Sequence, residues 1–172
     1  MAGQLPDKIP ACVWFHFGSE HLAPEKVAEL HELYYRAYPW DFAKVMFDFR
    51  LELPIAFEKR SWPRLPMPLS QVDWAAPFVK QQMCLELLLE SIGREIPLFT
   101  TIYSPWMLLL RHAGYDNSEN LLTNSDFTAC ALEHIVEATC NHLKNLARMG
   151  IDGVYFATTA ASGNVGPIEH EL

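Results

Sequence analysis

Residues 97–114 read PLFTTIYSPWMLLLRHAG. The apolar, β-prone run Ile96–Ile102 predicts a buried strand. Pro105 then opens a short apolar helix that stops near Gly114. The same strand-then-helix grammar recurs to either side. Ala11–Phe17, ACVWFHF, is aromatic and unbroken and predicts a first strand. Pro24 begins a helix with Val27, Leu30, Tyr34 and Ala37 at helical spacing, Glu25 and Glu29 near its N-terminal end, and Pro39 as its stop. Phe42–Phe49, FAKVMFDF, predicts a second strand. A helix from about Ala75 to Ile92 places Phe78, Leu85, Leu88, Leu89 and Ile92 on one face, with Gly93 ending it.

On the C-terminal side, YDNSEN is a turn cluster. Ser125 or Asp126 is placed to cap a long helix to about Met149, with a stripe of Leu132, Ile135, Val136, Thr139, Leu143 and Leu146 and a stop at Gly150. Gly153–Ala157, GVYFA, predicts the last strand. Strands alternating with helices imply parallel strands joined by helical crossovers. No GxGxxG and no GxxxxGK[ST] follows a strand, so the dinucleotide and P-loop readings lose their main support. The expectation is an α/β fold: a partial (β/α)8 TIM barrel of about four parallel strands with outer helices, since whole barrels take about 250 residues. The loop holding Pro54, Pro63, Pro66 and Pro68 also carries Phe57, Trp62, Leu65 and Met67. It reads as a loop packed on the domain, so residues 1–172 are taken as one domain.

The chain has 172 residues, half of them hydrophobic, enough for a core and too apolar for disorder. Thirteen basic residues face 21 acidic ones, a net charge of −8 without a basic cluster, which argues against nucleic acid. A polyanionic substrate would need a local positive pocket working against this field. The uncharged run Ile96–Leu110 contains Pro97 and Pro105 and falls short of the roughly 20 residues of a membrane span. MAGQLPDKIP has no apolar signal core, and the four cysteines (Cys12, Cys84, Cys130, Cys140) form no CxxC. A cytoplasmic protein with reduced thiols is expected.

Three segments, in order and spacing, resemble the uroporphyrinogen decarboxylase family, which includes the haem-pathway decarboxylase and corrinoid-dependent methyltransferases. They are PLFTTIYSPWMLLLRHAG, with its Pro-Trp dipeptide before an apolar helix; Asp41–Phe49, DFAKVMFDF, similar to a DAAIIFSD-type strand; and Ala131–Thr158, whose GIDGVYFAT is similar to an AGAQALQLFES segment. The resemblance runs from Ile9 to Asn164 and corresponds to the N-terminal half of that barrel. It implies a catalytic role for Asp48, at the place of an aspartate that accepts pyrrole N–H bonds. An ionised carboxylate suits that task.

The same resemblance assigns substrate contacts to Arg111, at the place of a pocket tyrosine, and to Thr158, at the place of a pocket serine. Where the decarboxylase has RQAGRY, this chain has His16–His21, HFGSEH; only Gly18 persists, and both arginines are replaced. Carboxylate recognition by Arg forks does not survive that change. The methyltransferase-like branch is therefore preferred, with uroporphyrinogen decarboxylation as the alternative. Trp14, Phe15 and His16 on the first predicted strand are the candidate lining of a cavity for a thiol or corrinoid substrate.

In the methyltransferase branch, zinc ligands lie in the C-terminal half, in a His-x-Cys segment absent here. No metal ligand is assigned to this chain; a corrinoid partner and zinc belong to the complete family enzyme. Expected partners are a small tetrapyrrole or methyl-donor substrate and either a second copy or a C-terminal half. A third reading is a truncated, non-catalytic half-barrel that self-associates, because its first and fourth strands would be edges and Val13, Phe15, Val45, Phe47 and Phe99 would lack an opposite layer. Cys130, His134, Glu137 and Asn141 fall in one helical row, read as a solvated face; Cys84 and Cys140 read as packed apolar residues, and Trp106 as core.

Overall fold

The computed structural model describes residues 8–51, 53, 67–93 and 95–159. The segment holding Pro54, Pro63 and Pro66, and the C-terminal SGNVGPIEHEL, lie outside them. Among the described residues five α-helices and three strands follow one another: α1 (Pro24–Ala37), β1 (Ala43–Val45), α2 (Ala76–Ser91), β2 (Leu98–Tyr103), α3 (Pro105–Ala113), α4 (Ser118–Thr123), α5 (Ser125–Met149) and β3 (Gly153–Ala157). The strands form a parallel sheet in the order β1-β2-β3. Lys44 is registered on Phe99, and Phe99 on Gly153.

Period-2 alternation decides which side chains meet the helices. Ala43, Val45, Leu98 and Ile102 are buried with Val27, Ala28 and Tyr35 of α1 and Cys84, Leu85 and Leu88 of α2. Gln81 of α2 donates to Thr100 Oγ1 (3.1 Å) and to the Met46 carbonyl (3.4 Å). A second cluster joins Phe47, Phe78 and Tyr103 to Leu108, Leu109, Phe127, Ala131 and Ile135, and holds Trp106. Val45 and Phe47, expected to lack an opposing layer, are therefore covered.

The expected first strand does not form. Residues 11–17 run without regular structure, and Val13, Trp14 and Phe15 are exposed. Among the described residues the sheet has three strands, not four, and β1 is its edge. The physical reason lies at Lys44, whose outward backbone groups are both occupied by the Tyr35 hydroxyl. That hydroxyl accepts from Lys44 N (2.9 Å) and donates to Lys44 O (2.6 Å). The 11–17 segment attaches instead through Asp41 N to the Ala11 carbonyl (3.1 Å) and Ala11 N to Asp41 Oδ2 (2.9 Å).

The predicted stripe of α5 is shifted. Phe127, Thr128, Ala131, Ile135, Thr139, His142 and Leu146 are buried, a run at 3.6-residue spacing, whereas Val136 and Leu143 face outward. His142 holds the inward place that its apolar neighbour Leu143 was expected to take. Cys84 is buried, but Cys140 is exposed rather than packed. The turn cluster YDNSEN resolves into a single 3-10 turn over Tyr115–Asn117 and the start of α4. The cap position of α5 is Asn124, ahead of the expected Ser125 or Asp126, and makes no side-chain cap. Gly150 ends the helix in the left-handed region (φ 81°), where glycine carries no Cβ penalty.

Candidate functional site

Beyond the C-terminal end of β1 the chain continues buried through Phe49, which carries Asp48 into the protein. Asp48 is 5% exposed. His16 Nδ1 lies 2.6 Å from its Oδ1, and its Oδ2 is buried without a partner. A buried polar atom without a partner costs about 1–3 kcal/mol, so Oδ2 is an unsatisfied acceptor. His16 is brought there by the 11–17 segment and is braced edge-on by Trp14, ring centroids 5.6 Å apart.

Arg111 arrives from the other side on α3. Ser104 accepts from Met107 N through its hydroxyl (3.4 Å), and Pro105 occupies the first turn, so the helix starts immediately after β2. Arg111 Nη2 donates to the carbonyls of Asp48 (3.2 Å) and Phe47 (3.4 Å), and its guanidinium stands 4.7 Å from the Tyr103 ring centroid. Arg111 Nε is buried and unpartnered. A cleft of about 520 Å³ opens between these groups, lined also by Gly18, Glu20, Arg50, Gly114, Tyr115 and Asp116. It is therefore lined by a carboxylate and a guanidinium that each keep one buried polar atom without a partner.

The surrounding electrostatics follow from burial. Burial raises the Tyr103 hydroxyl above the usual tyrosine range despite Arg111 beside it. Burial first, then the charges of Arg111 and Arg50, push His112 down to about 4. His112 is thus a neutral ring whose Nδ1 accepts from Leu51 N (3.2 Å), tying the chain after Asp48 to α3.

His16, Asp48 and Arg111 meet in this cleft. Trp14 touches it through His16. Thr158 directly follows β3, on the same side of the parallel sheet as Asp48, but does not line the cleft. Thr100 and Thr101 are buried in mid-strand, bonded to Gln81 and to Met46 Sδ (3.3 Å), back from the rim formed by the C-terminal ends of the strands, where the cleft opens. Sequence reasoning missed Glu20, Arg50, Tyr115 and Asp116 as lining residues. Their only signal was position: they sit in the stretches just after the elements that carry His16, Asp48 and Arg111.

In the Cys130 row, Glu137 and Asn141 are exposed, while His134 is half-buried and stacks on Trp74 at 6.3 Å. Among the described residues no three His, Cys, Asp or Glu side chains converge as a metal site. The cleft's lining, with two carboxylates, one imidazole and two guanidinium groups beside Asp48, lacks the converging donor set that zinc needs. No helix among the described residues is long and apolar enough to cross a membrane.

No protein-family profile matches the chain, and no curated protein does. Among solved structures it matches a methyltransferase from Methanosarcina mazei with TM-score 0.58 and 15% sequence identity. The match covers 88% of this chain and 50% of that one, so the chain spans half the length of the methyltransferase it resembles. At this identity the likeness is one of fold. The parallel sheet with its crossover helices corresponds to a partial α/β barrel.

Proposed function

We propose that this chain is the N-terminal half of a methyltransferase-like barrel of the uroporphyrinogen decarboxylase superfamily, and that the rim cleft holds a small thiol substrate with an anionic tail. The observation that carries this reading is the buried Asp48 carboxylate, with one oxygen on His16 and the other unpartnered, in a cleft that Arg111 also lines. With Nδ1–H donated to Asp48, His16 Nε2 presents a lone pair that takes the thiol proton. Arg111, fixed by two backbone carbonyls, pairs with the anionic tail. Support from outside the chain is the fold it shares with the Methanosarcina methyltransferase.

The test is calorimetric titration of the purified chain with 2-mercaptoethanesulfonate. Saturable binding is expected, and it should weaken about tenfold or more in Asp48→Asn and in Arg111→Gln, as befits loss of a charge-assisted bond. Absence of binding, or unchanged affinity in both variants, would remove the proposal.

The reading as a half-barrel that joins another chain is favoured by β3, where Val154 and Phe156 are 44% and 60% exposed. Sedimentation at micromolar concentration should show a dimer or larger species; a cooperatively melting monomer would count against it.

A further inference from the structure

Lys44 is the central residue of β1, and its neighbours Ala43 and Val45 point into the helical layer. Its own side chain therefore lies on the opposite, open face of the sheet. There Nζ stands 4.3 Å from the Trp14 ring centroid and 4.6 Å from that of Tyr155. Two more rings complete the floor. Phe99, the register partner of Lys44, lies 5.8 Å from Tyr155 and 5.3 Å from Phe42. Gly153 makes room for it: a Cβ there would stand 2.6 Å from the Phe99 ring.

This ammonium has no counter-ion among the described residues; Lys44 is absent from every ion pair they form. The ring faces compensate part of its lost hydration. Burial nonetheless holds it below the ordinary lysine range. Trp14 and Tyr155 remain 45% and 42% exposed, so both keep surface free for stacking.

We propose that Lys44, Trp14, Phe99 and Tyr155 form a binding site for a planar aromatic monocarboxylate, its carboxylate on Lys44 and its ring against the aromatic floor. One cation matches one negative charge. The apolar floor rewards a flat hydrocarbon body and penalises a strongly hydrated phosphate. The net charge of −8 likewise disfavours polyanions. The site borders the rim cleft only through the Trp14–His16 contact, and it does not depend on the methyltransferase-like reading.

Benzoate is the probe, with benzamide as its uncharged counterpart, in calorimetric titration of the full chain. Saturable one-to-one binding of benzoate is expected, with benzamide weaker by about tenfold or more. Lys44→Met should lose binding to the same extent, and Lys44→Arg should retain most of it. Far-ultraviolet circular dichroism of each variant checks that it is folded. Equal affinity for benzamide, full binding by Lys44→Met, or no saturable binding by the parent chain would overturn the proposal. Loss in Arg111→Gln with Lys44→Met unaffected would place the carboxylate in the rim cleft and overturn it too.

Discussion

Lowering the pH from 7 to 4 is expected to cost the chain about 3 kcal/mol of folding stability for each of two histidines, His112 and His142. Both are pushed down to about 4, His142 by burial alone and His112 by burial and the nearby arginines. The unfolded chain protonates histidine near pH 6.5, so between 6.5 and 4 it binds more protons than the folded chain. The stabilisation is complete above pH 6.5 and drains away as the pH falls toward 4.

His142 shows why. Its ring lies 4.7 Å from Phe78 and 6.2 Å from Phe47, and Gln82 Nε2 donates to its Nδ1 at 2.9 Å. Asn145 Nδ2, donating to Gln82 Oε1 (3.4 Å), sets the orientation of that amide. A proton on Nδ1 would meet a donor instead of an acceptor, within an aromatic pocket. His31 is buried too, and its shift has the same direction. Urea unfolding at pH 7, 5.5 and 4 measures the loss. His142→Gln should flatten the pH dependence by about one histidine's share; parallel profiles for parent and variant would refute the assignment.

Phe47→Ala should destabilise the chain by about 3–5 kcal/mol, the range for emptying a buried aromatic site. Phe47 is fully buried, stacks on Phe78 at 5.2 Å and approaches Tyr103 at 6.3 Å. Its carbonyl also receives Arg111, and the next residue is Asp48. The cavity would therefore loosen the candidate site together with the core. Phe47→Leu, which keeps most of the volume, should cost under about 1.5 kcal/mol and preserve 2-mercaptoethanesulfonate binding. A loss below about 1 kcal/mol for Phe47→Ala in urea unfolding would show that this side chain does not organise the cluster.

The parallel α/β plan was legible because periodicity switches cleanly between strands and helices at Pro24, Pro105 and Gly150. Ala11–Phe17 misled because an aromatic, β-prone run states a wish for burial and pairing without naming a partner. The edge it would have joined is held by Tyr35, a residue distant in sequence whose hydroxyl no strand pattern reveals. On α5 the hydropathy of Leu143 outweighed that of His142, although the helical period favoured the histidine; the Gln82 bond that makes its burial tolerable is a tertiary contact. Asp48, His16 and Arg111 were singled out through the resemblance. Their convergence depends on loop paths, as does the cleft wall built from Glu20, Arg50, Tyr115 and Asp116.

The Tyr35 hydroxyl gives the sheet a direction of growth. At β1 the outward main-chain groups of Lys44 are already spent, and a newcomer strand would first have to evict a phenol bonded twice to the backbone. At β3, by contrast, Gly153–Ala157 pairs on one side with β2 and meets no further strand among the described residues, and its sequence carries neither charge nor proline to discourage pairing. Among the described residues, then, the β3 margin is open to a further strand and the β1 margin is closed at Lys44. Two copies meeting through their free margins would pair β3 with β3, in antiparallel sense. A ring closed by joining β3 of one copy to β1 of the next would require that phenol to let go.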